Sequence, residues 1–355
     1  MIVAPGSTIG IVGGGQLGRM LAMAAAQLGY RCHIYAPDEA PPAAEVSALF
    51  TRGAYDDQDA LARFGAAVDV ATYEFENIAA APLQALAAMV PLYPPPNALE
   101  IGQDRLAEKS FVAELGGRPA PFAAVASVDE LKDALARIGT PAILKTRRFG
   151  YDGKGQARIM HPGAAGEAWA SMRGAPSILE SFVDFASEFS ILLCRAASGE
   201  IAVWDAPANV HVGGILDTSS VPAAPAAAQA IAEAAVLARK VAEALNYVGV
   251  LALEFFATAD GAVFNEMAPR VHNSGHWTIE GALTSQFENH IRAICGLPLG
   301  ATGLVVPRVT MRNLIGDQVD EWARLLADPA AHLHLYGKDE ARRGRKMGHV
   351  TWLDR

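Results

Sequence analysis

Residues 9–12 form a short β-branched apolar run that stops at Gly13-Gly14-Gly15, after which Leu17, Met20, Leu21, Ala24 and Leu28 recur at helical spacing. The pattern predicts strand, tight turn and helix. Residues 31–35 predict a second strand, 59–67 a helix and 68–73 a third strand. This alternation predicts a parallel, doubly wound sheet. Pro94-Pro95-Pro96 resists both helix and ladder and marks a first domain boundary. Beyond it, 129–138 read as a helix, 142–147 as a strand, and 150–155 as a glycine-rich loop leading into a strand at 156–160. That hairpin pattern predicts a mixed α+β domain. An Ala-rich helix is predicted over 223–245, with Ile231, Ala235, Ala238, Val241, Ala242 and Leu245 on one face, followed by a strand at 248–256. Residues 296–308, with Pro298 and Pro307, read as the entry to a small C-terminal subdomain with a basic tail.

The chain has 355 residues, enough for two or three domains, and its 51% hydrophobic and 19% charged residues exclude a disordered chain. A net charge of −9 argues against a diffuse grip on nucleic acid or an anionic membrane, so any bound anion needs a local site. Cys32, Cys194 and Cys295 show no CxxC spacing; they suggest neither a disulfide framework nor a zinc knuckle, and fit a reducing cytoplasm. No basic segment precedes an apolar run at the N-terminus, and no membrane-length apolar stretch occurs, so neither a signal peptide nor a membrane span is expected.

Gly13-Gly14-Gly15-Gln16-Leu17-Gly18 fits G-x-G-x-x-G, and Asp38 follows at the distance of a ribose-binding acid. The same glycines equally suit a substrate phosphate at a helix N-terminus, or a purely structural turn. A second loop, Gly150-Tyr151-Asp152-Gly153-Lys154-Gly155-Gln156, joins two strand-like segments and lacks the GK[ST] of a Walker A loop. With Arg147, Arg148 and Lys154 near, it suits a flap over a triphosphate that Lys145 could reach; a solvated surface hairpin is the other reading.

A third hairpin carries two acids. If Ala259-Asp260-Gly261 is a three-residue loop and Thr258 pairs with Ala262, Glu254 stands opposite Glu266, and the two would repel unless a cation such as Mg²⁺ bridges them to phosphate oxygens. Arg270, His272, Asn273 and Ser274 follow as donors suited to a small oxyanion. Near the C-terminus, Gly337, Gly344 and Gly348 predict turns that aim Lys338, Arg345 and Lys346 at a phosphate.

Taken in order, GGGQLGRM (13–20), TYEFENI (72–78), QDR with Glu108-Lys109, GYDGKGQ (150–156), NEMAPRVHNSGHW (265–277), YGK and GRKMGH resemble the 5-(carboxyamino)imidazole ribonucleotide synthase (PurK) family of the ATP-grasp superfamily, over essentially the whole chain. APRVHNSGHW separates that family from its formyl-phosphate-forming sibling and from biotin carboxylases. The resemblance implies an α/β protein: a doubly wound N-terminal pre-ATP-grasp domain over 1–96, an ATP-grasp domain over 97–298 with its lid at about 110–183, and a β-rich C-terminal subdomain over 299–355. It implies a cytoplasmic homodimer that uses Mg²⁺, with neither NAD nor biotin. ATP would phosphorylate bicarbonate to carboxyphosphate, whose carboxyl group or CO₂ is captured by aminoimidazole ribonucleotide.

By motif position, Arg105, Lys145, the 150–156 loop, Glu188, His211 and Asn265 would hold ATP, with Glu180, Ser181, Phe182 and Val183 as a hinge along the adenine. Glu254 and Glu266 would take magnesium, Glu266 also bordering the nucleotide. Arg270, His272, Asn273 and Ser274 would be catalytic, seating bicarbonate and carboxyphosphate. Gly15, Gln16, Leu17, Lys338, Arg345 and Lys346 would receive the ribonucleotide phosphate, with Glu74 and Asp152 near its base and sugar. This reading reassigns the first glycine turn from a dinucleotide to a substrate phosphate. Phe149 and Asp217 depart from the family pattern beside the site.

Overall fold

Strands Leu49–Arg52, Arg31–Ala36, Thr8–Val12 and Val70–Tyr73 pair in that order, all parallel, in a computed structural model that describes residues 2–148, 150 and 155–354. Ile9, Ile11, Ile34 and Val70 are fully buried, as expected of a sheet covered on both faces. Helix Gln16–Gln27 lays Leu17, Met20, Leu21 and Ala25 on one face, and helix Gln58–Gly65 sends Leu61 and Phe64 to the other. Strand Leu49–Arg52 has no counterpart in the sequence pattern: it is a half-exposed edge strand without an apolar alternation. Pro96, expected to resist helix, opens helix Pro96–Gly102, where a missing N–H costs nothing.

Four antiparallel strands follow, in the order Phe122–Val125, Ser177–Ser181, Ala142–Thr146 and Gln156–Ile159. Helix Val128–Ile138, capped by Ser127 Oγ accepting from the Glu130 amide at 3.1 Å, buries Leu131, Ala134 and Leu135 against them. The hairpin between Ala142–Thr146 and Gln156–Ile159 carries the glycine-rich loop at its tip.

The largest sheet, nine-stranded among the described residues, runs Gly261–Ala268, Gly249–Thr258, Ser187–Arg195, Ala208–Val212, Ile215–Val221, Arg308–Ile315, Lys346–Asp354, Ala331–Leu335, with Ile201–Val203 on the flank of Ser187–Arg195. Its C-terminal strands join through pairs such as Val221↔Val309 and so extend the central sheet. Gly348, expected in a turn, lies inside Lys346–Asp354 opposite Leu335. Helix Ala228–Ala244 covers one face through Ala234, Leu237, Ala238 and Val241; it starts later than the pattern suggests because Pro225–Ala227 forms a 3₁₀ turn first. Helix Gln286–Ile294 covers the other face and packs on helix Gln16–Gln27, which seats the N-terminal sheet against the large one. No described helix is long and apolar enough to cross a membrane.

Candidate active site

The first glycine turn holds an acid supplied by the chain itself. Glu74 follows strand Val70–Tyr73, and its carboxylate accepts from the amides of Gly15 (2.9 Å) and Gly18 (3.3 Å) at the N-terminus of helix Gln16–Gln27. Gly13 sits at φ +114°, and a Cβ there would stand 2.6 Å from Glu74, so only glycine lets the acid in. Burial raises the Glu74 pKa against the pull of these amides and of Arg270. The amides expected to greet a phosphate at Gly15 are therefore partly occupied, while Gln16 and Leu17 open the helix beside them. Asp38 lies exposed.

Helix Arg105–Glu114 ties three parts of the site together. Asp104 caps it and receives Arg147 (2.7 Å) and Arg148 (3.3 Å) from the base of the flap. Arg105 donates to the carbonyls of Thr146 (3.3 Å) and Gly150 (3.1 Å) and lies 3.8 Å from Glu266. Glu180, at the end of the strand leading into Ser181, Phe182 and Val183, is buried between Lys145 (2.9 Å) and Lys109 (3.4 Å). Burial would raise its carboxyl pKa, but the two ammonium groups outweigh that and hold it low. Gln156 pairs with Lys145, Gly155 turns the chain at φ +70°, and Phe182 is exposed with Arg158 over its ring. Phe149, Tyr151, Asp152, Gly153 and Lys154 lie outside the described residues.

The acidic hairpin reaches the expected pairing by a different route. Thr258 pairs with Gly261, across a two-residue turn, so the outer register is one residue off the expected one. A bulge between Phe264 and Glu266 then adds Asn265, and Glu254 does stand opposite Glu266. The bulge is held from behind: Lys109 Nζ donates to the Asn265 carbonyl (2.8 Å), and Glu108 accepts from the Met267 amide (2.6 Å). Burial, then the neighbouring Glu266, pushes Glu254 up to about 7. Glu188 pairs with His211 at 2.5 Å; burial would lower that imidazole's pKa, but Glu188 and Glu254 raise it. Among the described residues no group of three or more His, Cys, Asp or Glu is arranged to hold a metal unaided. Two mutually repelling carboxylates fit a hard divalent cation that takes its remaining ligands from phosphate and water.

Arg270, His272, Asn273 and Ser274 follow the same strand. Arg270 pairs with Glu76, whose carboxyl it holds low against the opposing effect of burial. His272 Nε2 lies 3.6 Å from Glu254 Oε1, and its Nδ1 lies 2.9 Å from Ser274 Oγ. Burial, then Arg270 and Lys346, keep this imidazole neutral. Both side-chain amide atoms of Asn273 are buried and without a partner, a donor and an acceptor left unused in the loop that follows His272.

From the C-terminus, Lys338 donates to the Lys346 carbonyl (2.7 Å), and Gly337 packs against the Arg19–Glu45 pair on the first helix and its neighbouring turn. Lys346 acts on the ionisation of Glu76, Glu254 and His272, so it belongs to the site. Arg345 instead directs Nη1 to the Glu340 carbonyl (2.8 Å), within its own loop. Sequence reasoning gave no role to Glu76, Asp104, Glu108, Lys109 or Gln286. The first four stand inside or beside the quoted motifs, whereas Gln286 carries no local signal.

A carboxylate pair on a bulged strand, faced by Lys109, Lys145 and a glycine-rich hairpin and set behind a parallel-sheet domain, is the arrangement of the ATP-grasp class of ATP-using enzymes. The chain matches the ATP-grasp domain over residues 110–287, the ribonucleotide synthetase preATP-grasp domain over 6–103, and the phosphoribosylaminoimidazole carboxylase C-terminal domain over 309–355. It is 52% identical over 350 residues to N5-carboxyaminoimidazole ribonucleotide synthase of Brucella melitensis, covering 98% of this chain and 96% of that one. It superimposes with a TM-score of 0.96 on the ADP complex of an N5-carboxyaminoimidazole ribonucleotide synthetase, at 42% identity and covering 99% of this chain and 94% of that one. With the Aspergillus clavatus N5-carboxyaminoimidazole synthase bound to ADP and 5-aminoimidazole ribonucleotide, the TM-score is 0.92 at 29% identity, covering 98% and 94%. The chain belongs to the N5-carboxyaminoimidazole ribonucleotide synthase family.

Proposed function

We propose that this protein uses ATP to carboxylate the exocyclic amine of aminoimidazole ribonucleotide with bicarbonate, in purine biosynthesis. Bicarbonate oxygen attacks the γ-phosphorus, giving carboxyphosphate and ADP. The amine then takes the carboxyl group, directly or as CO₂, and phosphate leaves. The observation that carries this reading is the 3.6 Å approach of His272 to Glu254, which sets the oxyanion donors beside the carboxylates suited to the metal nucleotide.

Glu254 and Glu266 would hold Mg²⁺, which when bound neutralises charge on the phosphates being transferred. Lys145, Arg105, Glu188, His211 and the flap from Gly150 to Gln156 orient ATP, with Glu180 to Val183 along the adenine. Arg270, neutral His272, Asn273 and Ser274 donate to bicarbonate and its phosphoryl adduct. Gln16 and Leu17 amides, Lys338 and Lys346 take the ribonucleotide phosphate; Arg345 would have to leave Glu340 to join them. The reading keeps the division at 1–96, 97–298 and 299–355 and a homodimer, both resting on the family resemblance. The cytoplasmic assignment is supported by three buried free thiols.

The test is ADP formation with Mg-ATP in CO₂-depleted buffer, with and without bicarbonate and the ribonucleotide. Stimulation that needs both is expected. ATP binding without such stimulation would redirect the reading to another carboxylate or amine.

A further inference from the structure

The loop that carries His272, Asn273 and Ser274 turns through one 3₁₀ turn, in which the His272 carbonyl accepts from the Gly275 amide (3.0 Å), but the His272 amide needs a partner from outside the turn. One side chain supplies it and adds a second donor to the carbonyl. Gln286, the first residue of helix Gln286–Ile294 and fully buried, accepts from the His272 amide through Oε1 (2.9 Å) and donates to the His272 carbonyl through Nε2 (2.7 Å). The same Nε2 lies 3.2 Å from His276 Nδ1. A second thread ends at the same residue: Thr278 Oγ1 donates to the Gly275 carbonyl (2.6 Å) and accepts from the Gln286 amide (2.9 Å). The loop is also pressed close, since a Cβ on Gly275 would stand 2.2 Å from Leu192 and 2.7 Å from Gln286 Oε1.

We infer that Gln286 is a positioning residue for the carboxylation reaction: its primary amide pairs with both backbone groups of His272, as a neighbouring strand would, and so sets the oxyanion donors against Glu254. The inference rests on the function proposed above. The contacts require an amide. One group must accept and donate at once, and the helix that offers it also packs the N-terminal sheet onto the large one. An ionised carboxylate of the same shape has only acceptors, and one of them would face the His272 carbonyl. A protonated carboxyl regains one donor and one acceptor, and full burial raises an acid's pKa into an accessible range.

Gln286→Glu and Gln286→Leu therefore separate positioning from packing. The titratable groups facing position 286 are His276, His272 and, beyond His272, Glu254; Leu192 and Thr278 add none. Bicarbonate- and ribonucleotide-dependent ADP formation is measured from about pH 6 to about pH 8 and divided at each pH by the wild-type rate, with stabilisation by ADP followed by thermal shift. Gln286→Leu is expected to lose on the order of 100-fold in kcat/KM for bicarbonate, the cost of a misplaced catalytic group, with ADP stabilisation intact. Gln286→Glu should show a similar loss at the alkaline end and regain activity as pH falls. Wild-type activity of Gln286→Glu at every pH overturns the inference. So does a loss that does not change with pH, or one matched by loss of ADP stabilisation. A wild type that lacks dependence on both co-substrates overturns the proposed function, and this inference with it.

Discussion

Glu254 and Glu266 stand opposite each other only because Asn265 is inserted into one strand of their ladder. Continued inward from Phe255↔Phe264, an unbroken register would set Glu254 against Asn265 and Glu266 against fully buried Leu253, on the core face. The bulge moves a carboxylate from a place where it would be ruinous to one where it meets its twin. Glu266→Gln, which removes the charge while keeping the shape, is expected to abolish turnover in the coupled ADP assay. Full activity in that variant would break the metal assignment.

The extra residue also marks where the sequence stops being legible. Alternating apolar runs and glycine turns place strands Thr8–Val12, Arg31–Ala36 and Val70–Tyr73 and helices Gln16–Gln27 and Gln58–Gly65 within a few residues, because each buries a contiguous face. Strands such as Ile201–Val203 and Leu49–Arg52 are short and half-exposed, so they carry no period to read. The motifs give the site's residue types, but the hairpin register depends on where one unpaired residue falls, which no local pattern records. The partners of the site are harder still: Glu108 reaches Met267 through one hydrogen bond and Gln286 reaches His272 through two, and only the folded chain creates them.

Glu108 and Lys109 satisfy the two backbone groups that flank Glu266, and Glu108, pushed up to about 8 chiefly by burial, has no solvent to fall back on. Glu108→Ala leaves the Met267 N–H buried without an acceptor, which costs about 1–3 kcal/mol by denaturant unfolding. It should also raise the Mg²⁺ concentration for half-maximal ADP formation. Glu108→Gln keeps an acceptor and should sit near wild type in both measurements.

Glu74 fills the first glycine turn, accepting two backbone hydrogen bonds at a helix N-terminus. Glu74→Ala is expected to lower unfolding free energy by about 1–3 kcal/mol and to raise the apparent KM for the ribonucleotide. NADH should give no thermal shift with the wild type, whereas Mg-ATP should stabilise it through mass action. A clear NADH shift would restore the dinucleotide reading of that turn.

Lys338 reaches the Lys346 carbonyl and places a cation where the C-terminal loop approaches the first helix. Lys338→Ala should raise the apparent KM for the ribonucleotide about tenfold or more, the loss of one charge-assisted contact. Stabilisation by Mg-ATP, followed by thermal shift, should persist. If ATP affinity alone fell, the phosphate role would be wrong.

His290 joins the two large units: its Nε2 meets Thr72 Oγ1 at 2.8 Å, and its Nδ1 accepts from the Val250 amide at 3.1 Å. Burial drives its pKa down to about 3. The unfolded chain therefore takes a proton near pH 6.5 that the folded chain refuses, so this contribution to stability is present above about 6.5 and is lost as pH falls towards 3. The loss approaches about 1.4 kcal/mol per pH unit within that window. Buried His276 and His349, also lowered chiefly by burial, act in the same direction. Unfolding free energies measured from about pH 7 down to about pH 5 should fall with acid, and His290→Gln, though less stable throughout, should show a shallower slope by about one proton. An unchanged slope would mean that the His290 imidazole is already charged in the folded protein, and that the Val250 amide donates elsewhere.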